Sequence, residues 1–355
     1  RRDERLARRL SLGHREGTLD DGQTAPVGEL DQHIACDAAQ NMMVGRPGHE
    51  PAVAVDDPDA GIGQRGAVLS APVVASADLA LLGTDDAARL AKGALPEPAD
   101  GPFFAKWRGL REDGASRWLA LAFNRFLLRP RYAPGEWESK GYAHREAGDG
   151  LWGRPGWAVA ALAAGSFARC GWCTDMTGPK GGTLGDLPVR DVVHGSATAK
   201  IAVESVLPEG LERDLAGLGL IPLVAALNTD RASVRLAPLV HVPQHYQDPL
   251  DKARARLQST LPFQLFVGRL VNYALLIERR VVADRDGAAI AAEYARALAG
   301  LLASAGPVPE DALTVKVLPN DDDPSIADLW MRVRWPGSQS LPGAGEIELR
   351  WPLSG

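Results

Sequence analysis

Between Leu313 and Trp351 apolar residues recur at every second position in three separate runs. Leu313, Val315 and Val317 alternate with Thr314 and Lys316; Leu329, Met331, Val333 and Trp335 with Trp330, Arg332 and Arg334; Ile347, Leu349 and Trp351 with Glu348 and Arg350. Successive side chains of an extended strand point to opposite faces, so this period predicts β structure with one face buried and the other wet. Pro336, Gly337, Pro342, Gly343 and Gly345 separate the last two runs and break helix and strand alike, which predicts a terminal hairpin. Its polar face would carry Arg332 and Arg334 on one strand and Glu348 and Arg350 on the other, the carboxylate offsetting a basic ribbon.

A different period precedes these runs. Phe263, Phe266, Val267, Leu270, Val271, Ala274 and Ile277 form one stripe of a helix over residues 262–280, and the Ala-rich stretch 287–304 ends at Gly306 and Pro307. Helices and strands in one chain predict a mixed α/β fold, with sheets packed by helices and a β-rich C-terminus. Three regions follow: residues 1–70, which hold neither period and are expected to be poorly structured; a body at 71–310; and the β region at 311–355. Within the body, helices are expected over Ala77–Leu90, from Ser116 as cap to Pro130, and over Trp157–Arg169 with Pro155 in its first turn. A Gly- and Pro-rich loop spans Ala133–Gly150, and short strands are expected at Lys200–Val206 and Ile221–Ala226.

Composition narrows the function. With 45% hydrophobic and 24% charged residues the chain reads as globular, and a net charge of -6 without a basic run argues against nucleic-acid binding. The apolar stretches Trp157–Phe167 and Leu261–Ile277 are broken by Ser166, or by Gln264, Arg269 and Asn272, so membrane insertion is not expected. Arg1–Arg9 lead into Ser11, Gly13 and His14 without the apolar segment of a secretory signal, and three cysteines do not make a disulfide framework. The cytoplasm is the expected compartment.

The candidate chemical motifs fail on placement. Cys170 and Cys173 have redox spacing, but they end a helix, where the dipole opposes a thiolate, and no second ligand pair suggests zinc. Pro243 stands between His241 and His245. The Gly178–Gly182 segment lacks the Gly-Lys-Ser/Thr order of a phosphate loop, and Asp321–Asp323 lack the spaced ligands of a calcium loop. No catalytic, cofactor-binding or metal residue is assigned, and no cofactor is expected. The chain reads as a non-enzyme; the alternative is an α/β enzyme using the Cys170/Cys173 dithiol.

Ordered blocks carry a resemblance. Phe104-Ala105-Lys106-Trp107-Arg108-Gly109-Leu110-Arg111, Ser116-Arg117-Trp118 and Arg125 to Tyr132 are followed by Leu151-Trp152-Gly153 and Phe167 to Trp172-Cys173. Gly181, Gly182, Pro188, Leu218 to Leu223, and Leu261-Pro262 with Arg269 and Tyr273 complete the order. Over about Ala71 to the C-terminus the chain resembles the large subunit of the type VI secretion contractile sheath, the TssC/VipB family. Residues 1–70 do not resemble that family's N-terminal arm. The resemblance implies a protomer that polymerises and contracts. Its partners would be a small subunit of TssB/VipA type, further copies of itself in a helical polymer, an inner tube of Hcp and a AAA+ disassembly ATPase. A non-polymerising regulatory paralogue is the other reading. Trp107, Arg108, Arg125, Trp152, Gly153, Trp172, Cys173, Gly181, Gly182, Pro188, Arg269 and Tyr273 are then structural, Trp107, Trp152 and Trp172 being expected in the core. Strand exchange between subunits would use Trp330, Arg332, Val333, Arg334, Ile347, Glu348, Leu349 and Arg350.

Overall fold

A computed structural model describes residues 71–132, 146, 148, 150–194, 197–278, 286–303, 311–320, 327–334 and 346–353. The expectations for 1–70, for most of the Ala133–Gly150 loop, for Asp321–Asp323 and for the turn at 335–345 lie outside these residues.

β1 (Val73–Ser76) is followed by a 3-10 turn at Leu79–Leu82 and by α1 (Ala87–Leu90), not by one helix over Ala77–Leu90. Asp78 and Asp86 each accept from the N–H two residues on, at 3.0 and 2.8 Å, and so start two separate turns; Gly83, at φ 74°, ends the first. After α2 (Ala105–Glu112) come β2 (Leu119–Phe123) and β3 (Phe126–Pro130), where a helix capped by Ser116 was expected. The chain continues through β4 (Gly150–Gly153), α3 (Pro155–Cys170), α4 (Gly178–Gly181) and β5 (Thr183–Leu184) to the hairpin β6 (Arg190–His194) and β7 (Ala197–Ile201). Next are α5 (Glu209–Gly217), β8 (Leu220–Pro222), β9 (Val224–Ala225), β10 (Ala232–Ser233) and α6 (Pro249–Gln258). Two long helices, α7 (Leu261–Glu278) and α8 (Gly287–Ala303), precede β11 (Leu313–Pro319), β12 (Ala327–Arg334) and β13 (Glu346–Pro352).

β1, β2 and β8 form a parallel sheet in that order, with β2 central. Ala120 and Ala122 point into a core with Ala158, Val159 and Leu162 of α3, while Leu121 and Phe123 point into another with Trp107, Leu211 and Leu215. A strand covered on both faces is apolar at every position, so its period of two vanishes, and Leu119–Phe126 therefore mimics a helix stripe. Asn124 makes the corner to β3 at φ 77°; its amide donates to the carbonyls of Ser205 and Leu223 at 2.9 and 2.7 Å, and its oxygen accepts from Ser205 N–H at 2.9 Å. α3 starts at Pro155, and Gly156 donates its N–H to Ser76 Oγ at 3.0 Å, docking the helix on β1.

In the C-terminal sheet β12 lies between β11 and β13, both antiparallel to it, with Val315, Met331 and Leu349 in register. The last two strands do pair, but they are two of three. Leu329, Met331 and Val333 are buried, as are Tyr294, Leu298 and Leu301 of α8, which packs over β11 and against α7.

Candidate assembly surface

The family-signature residues gather first where α3 ends. Gly171, at φ 72°, reverses the chain, and Trp172 drops into the core, 1% exposed, its ring 4.8 Å from that of Phe266 on α7. Arg269 of α7 donates to the Gly171 carbonyl and lies 4.4 Å over the Trp172 ring and 5.1 Å over that of Phe167. A cation there suits the negative end of the α3 dipole and the aromatic faces together. The Trp172 indole N–H finds no acceptor among the described residues. Cys173 packs against the same core, and burial pushes its thiol up to about 11, against the pull of Arg269. Cys170 donates to the Ser166 carbonyl at 3.2 Å. Cys173, a buried thiol held protonated, is the reverse of a redox nucleophile.

The glycines that follow answer to backbone. Gly178 N–H donates to Val234 C=O at 2.9 Å, Val234 N–H to Gly182 C=O at 2.7 Å, and Gly182 N–H to Gly178 C=O at 3.1 Å. A Cβ at Gly181 would collide with the Asp175 carbonyl and one at Gly182 with that of Val234. The amides of Gly178 and Gly182 are thus engaged by protein carbonyls, not left free to cradle a phosphate.

Trp107 is buried and donates its indole N–H to Leu218 C=O at 2.9 Å, and Arg108 holds the carbonyls of Ala99 and Gly101 at 3.0 and 2.9 Å. Trp152 departs from the core expectation. It is only half-buried, between the guanidinium groups of Arg125 at 5.8 Å and Arg190 at 5.3 Å, because Gly153 beside it is what faces inward, under Phe126. Arg125 also grips Glu204 with both arms, one at 2.8 Å, and that hydrogen bond raises its pKa. Pro188 is half-buried ahead of β6, and Tyr273 is buried on α7.

On the C-terminal sheet Trp330 of β12 has Lys316 and Arg350 as its cross-strand neighbours, the Lys316 ammonium 5.5 Å from its ring. Arg332 lies opposite Glu348, and Arg334 reaches Asp311 at 2.7 Å and Glu346 at 3.8 Å. Buried Asp328 accepts from Arg350 at 2.7 Å and from Asn320 at 2.8 Å. Arg334 N–H donates to Ala312 C=O and Leu353 N–H to Ala327 C=O, each at 2.8 Å, which fixes the alternation of the two ladders. The even residues of β12 therefore bond to β11 and the odd ones to β13. Trp330, Arg332, Val333 and Arg334 thus lie on a strand paired on both sides within the chain. On β13 the N–H and C=O of Glu346 and Glu348 point away from β12, to an edge with no strand neighbour among the described residues, while Ile347 and Leu349 point theirs inward.

Asn124 and Asp328 belong to no motif. Their common signal is a polar residue inside or at the head of an apolar run, which must find buried partners. Among the described residues no three His, Cys, Asp or Glu side chains converge as metal ligands would, and no described helix is long and apolar enough to cross a membrane.

Comparison with known proteins follows the same residues. The family model described as VipB (EvpB/VC_A0108), tail sheath N-terminal domain, matches residues 60–240. The type VI secretion system sheath protein TssC1 of Pseudomonas aeruginosa is 30% identical over 223 residues, 60% of this chain and 45% of that protein. The chain thus spans about half the length of this curated relative. A sheath tail protein from Desulfitobacterium hafniense aligns with a TM-score of 0.45 at 11% identity, over 96% of this chain and 62% of that one. One from Listeria innocua aligns with a TM-score of 0.40 at 11% identity, over 95% and 62%.

Proposed function

The chain belongs to the VipB tail sheath family, whose model matches residues 60–240, and on that premise we propose that it is a large-subunit protomer of a type VI secretion contractile sheath. The family is one of structural proteins, and the protonated Cys173 thiol supports a structural role over a dithiol enzyme. In this reading residues 71–310 are the body and 311–355 the linking region, working in the cytoplasm. The protomer assembles with a small subunit of TssB/VipA type and with further copies of itself around an Hcp tube. Contraction drives that tube outward, and a AAA+ ATPase recycles the contracted polymer. Energy is stored in an extended arrangement of subunits, since a few kcal/mol per protomer sums over a long polymer.

The observation that carries this reading is the outer edge of β13. A row of outward-facing N–H and C=O groups such as those of Glu346 and Glu348 is a template for a further strand, and each added bond contributes about 1 kcal/mol net. A tether of this kind holds subunits while their bodies rotate. Glu348→Pro removes one outward N–H and leaves the ladder to β12 intact, because proline is tolerated where the N–H faces solvent. Co-expression with the small subunit, followed by electron microscopy, should give tubes for the parent chain and none for Glu348→Pro of unchanged melting temperature. Tubes formed equally by both would place the linkage elsewhere, and no tubes from the parent chain would favour the non-polymerising paralogue.

A further inference from the structure

The irregular segment that follows Leu239 is fastened to the turn between α2 and β2. Val240 N–H donates to Leu119 C=O at 2.9 Å, Val242 N–H to Arg111 C=O at 3.0 Å, and Arg111 Nε to Val240 C=O at 2.9 Å. One side chain joins the two pieces from the other direction. His241 Nδ1 lies 3.0 Å from Ser116 Oγ and 3.2 Å from Asp113 C=O, while Nε2 lies 3.5 Å from Arg117 Nη2.

These distances select one protonation state. Ser116 is buried, and its single hydroxyl proton is committed to backbone, at 2.6 Å from Asp113 C=O and 3.2 Å from Arg111 C=O. Its oxygen is therefore an acceptor toward the ring, so Nδ1 carries the imidazole proton and the Nε2 lone pair faces the Arg117 guanidinium. A proton added at Nε2 would turn that contact into a like-charge one, with Arg111 as a second cation close by. Asp113 offers little relief, since its carboxylate caps the turn by accepting from Ala115 N–H at 2.7 Å.

We propose that His241 is a pH-sensitive clasp: neutral, it holds the segment from Val240 to Tyr246 against the Arg111–Leu119 turn, and protonated, it lets that segment lift. The segment carries exposed Val242 and Tyr246, and Leu239 and Val240 at its root are core residues, so lifting it changes the apolar surface offered at this place. Burial, then the charge of Arg117, lowers the His241 pKa, in the same direction as the geometry. A group held neutral by the fold adds stability that is fully present above its ordinary value of 6.5 and is lost as pH falls through the lowered folded value.

Hydrogen exchange of the full chain, read by mass spectrometry on peptides spanning 111–120 and 237–248 and corrected for intrinsic rates, tests the clasp. Between pH 8 and pH 5 the local opening should rise by roughly threefold or more. His241→Asn keeps a donor at the Nδ1 position and cannot titrate, so its opening should be flat across that range. Should that variant lose its circular dichroism spectrum, Arg117→Met, which removes the facing cation and leaves the burial, should make the profile shallower than the parent's. Unchanged protection of the parent chain between the two pH values, or the same pH profile in parent and variant, would overturn the proposal.

Discussion

At residues 181 and 182 glycine is demanded by neighbouring carbonyls of Asp175 and Val234, with no ligand involved. Backbone cannot retreat as a flexible side chain can, so Gly182→Ala should destabilise by more than about 2 kcal/mol, measured as a shift of the urea midpoint at constant slope. An alanine variant with an unshifted midpoint would mean the turn relaxes freely. Cys173 permits a second test. With its thiol near 11 and the site packed, alkylation at pH 8 should be roughly tenfold or more slower in the folded chain than in urea, by peptide mapping. Comparable rates in both would place the thiol in solvent. The sequence carries these residues in recognisable blocks, yet it cannot say which carbonyl each glycine approaches, because Val234 is brought to Gly182 only by tertiary folding.

At the scale of elements, legibility follows the number of faces buried. α7, α8 and β12 each bury one face, and with β11 and β13 they keep a clean period and are readable within a residue or two of their ends. β2 buries both faces and reads as a helix, and Ala77–Leu90 is divided by two aspartate caps that compete locally with a continuous helix. The edge of β13 was legible only in part, since β11 forms its own alternating run and nothing in sequence says on which side of β12 it pairs. The stripe of α7 gives a direct test. Leu270 is fully buried, so Leu270→Asp should place an unpaired carboxylate in the core and cost about 3–5 kcal/mol, seen as loss of the cooperative melt. A soluble variant melting like the parent would mean that this face is open.

For the whole molecule, the C-terminal sheet binds an apolar layer and an open edge into one device. The odd residues of β12 turn their N–H and C=O groups to β13, and their side chains, Leu329, Met331 and Val333, turn toward the core beneath. Removing Glu346–Gly355 therefore does two things: it uncovers the apolar layer beside Ile347, and it moves the open edge from a strand of charged residues to the central, apolar one. Charged edge strands resist pairing with their own kind, and flat apolar ones invite it. The truncated chain should accordingly melt at a lower temperature and sediment as larger, concentration-dependent species than the full chain. Glu348→Pro in the full chain should do neither, because β12 stays covered and only the outer N–H row is interrupted. The contrast separates a linking edge from a merely stabilising strand. A truncated chain that stays as small and as stable as the parent would mean that β13 contributes neither cover nor edge, and the assembly reading built on it would fall.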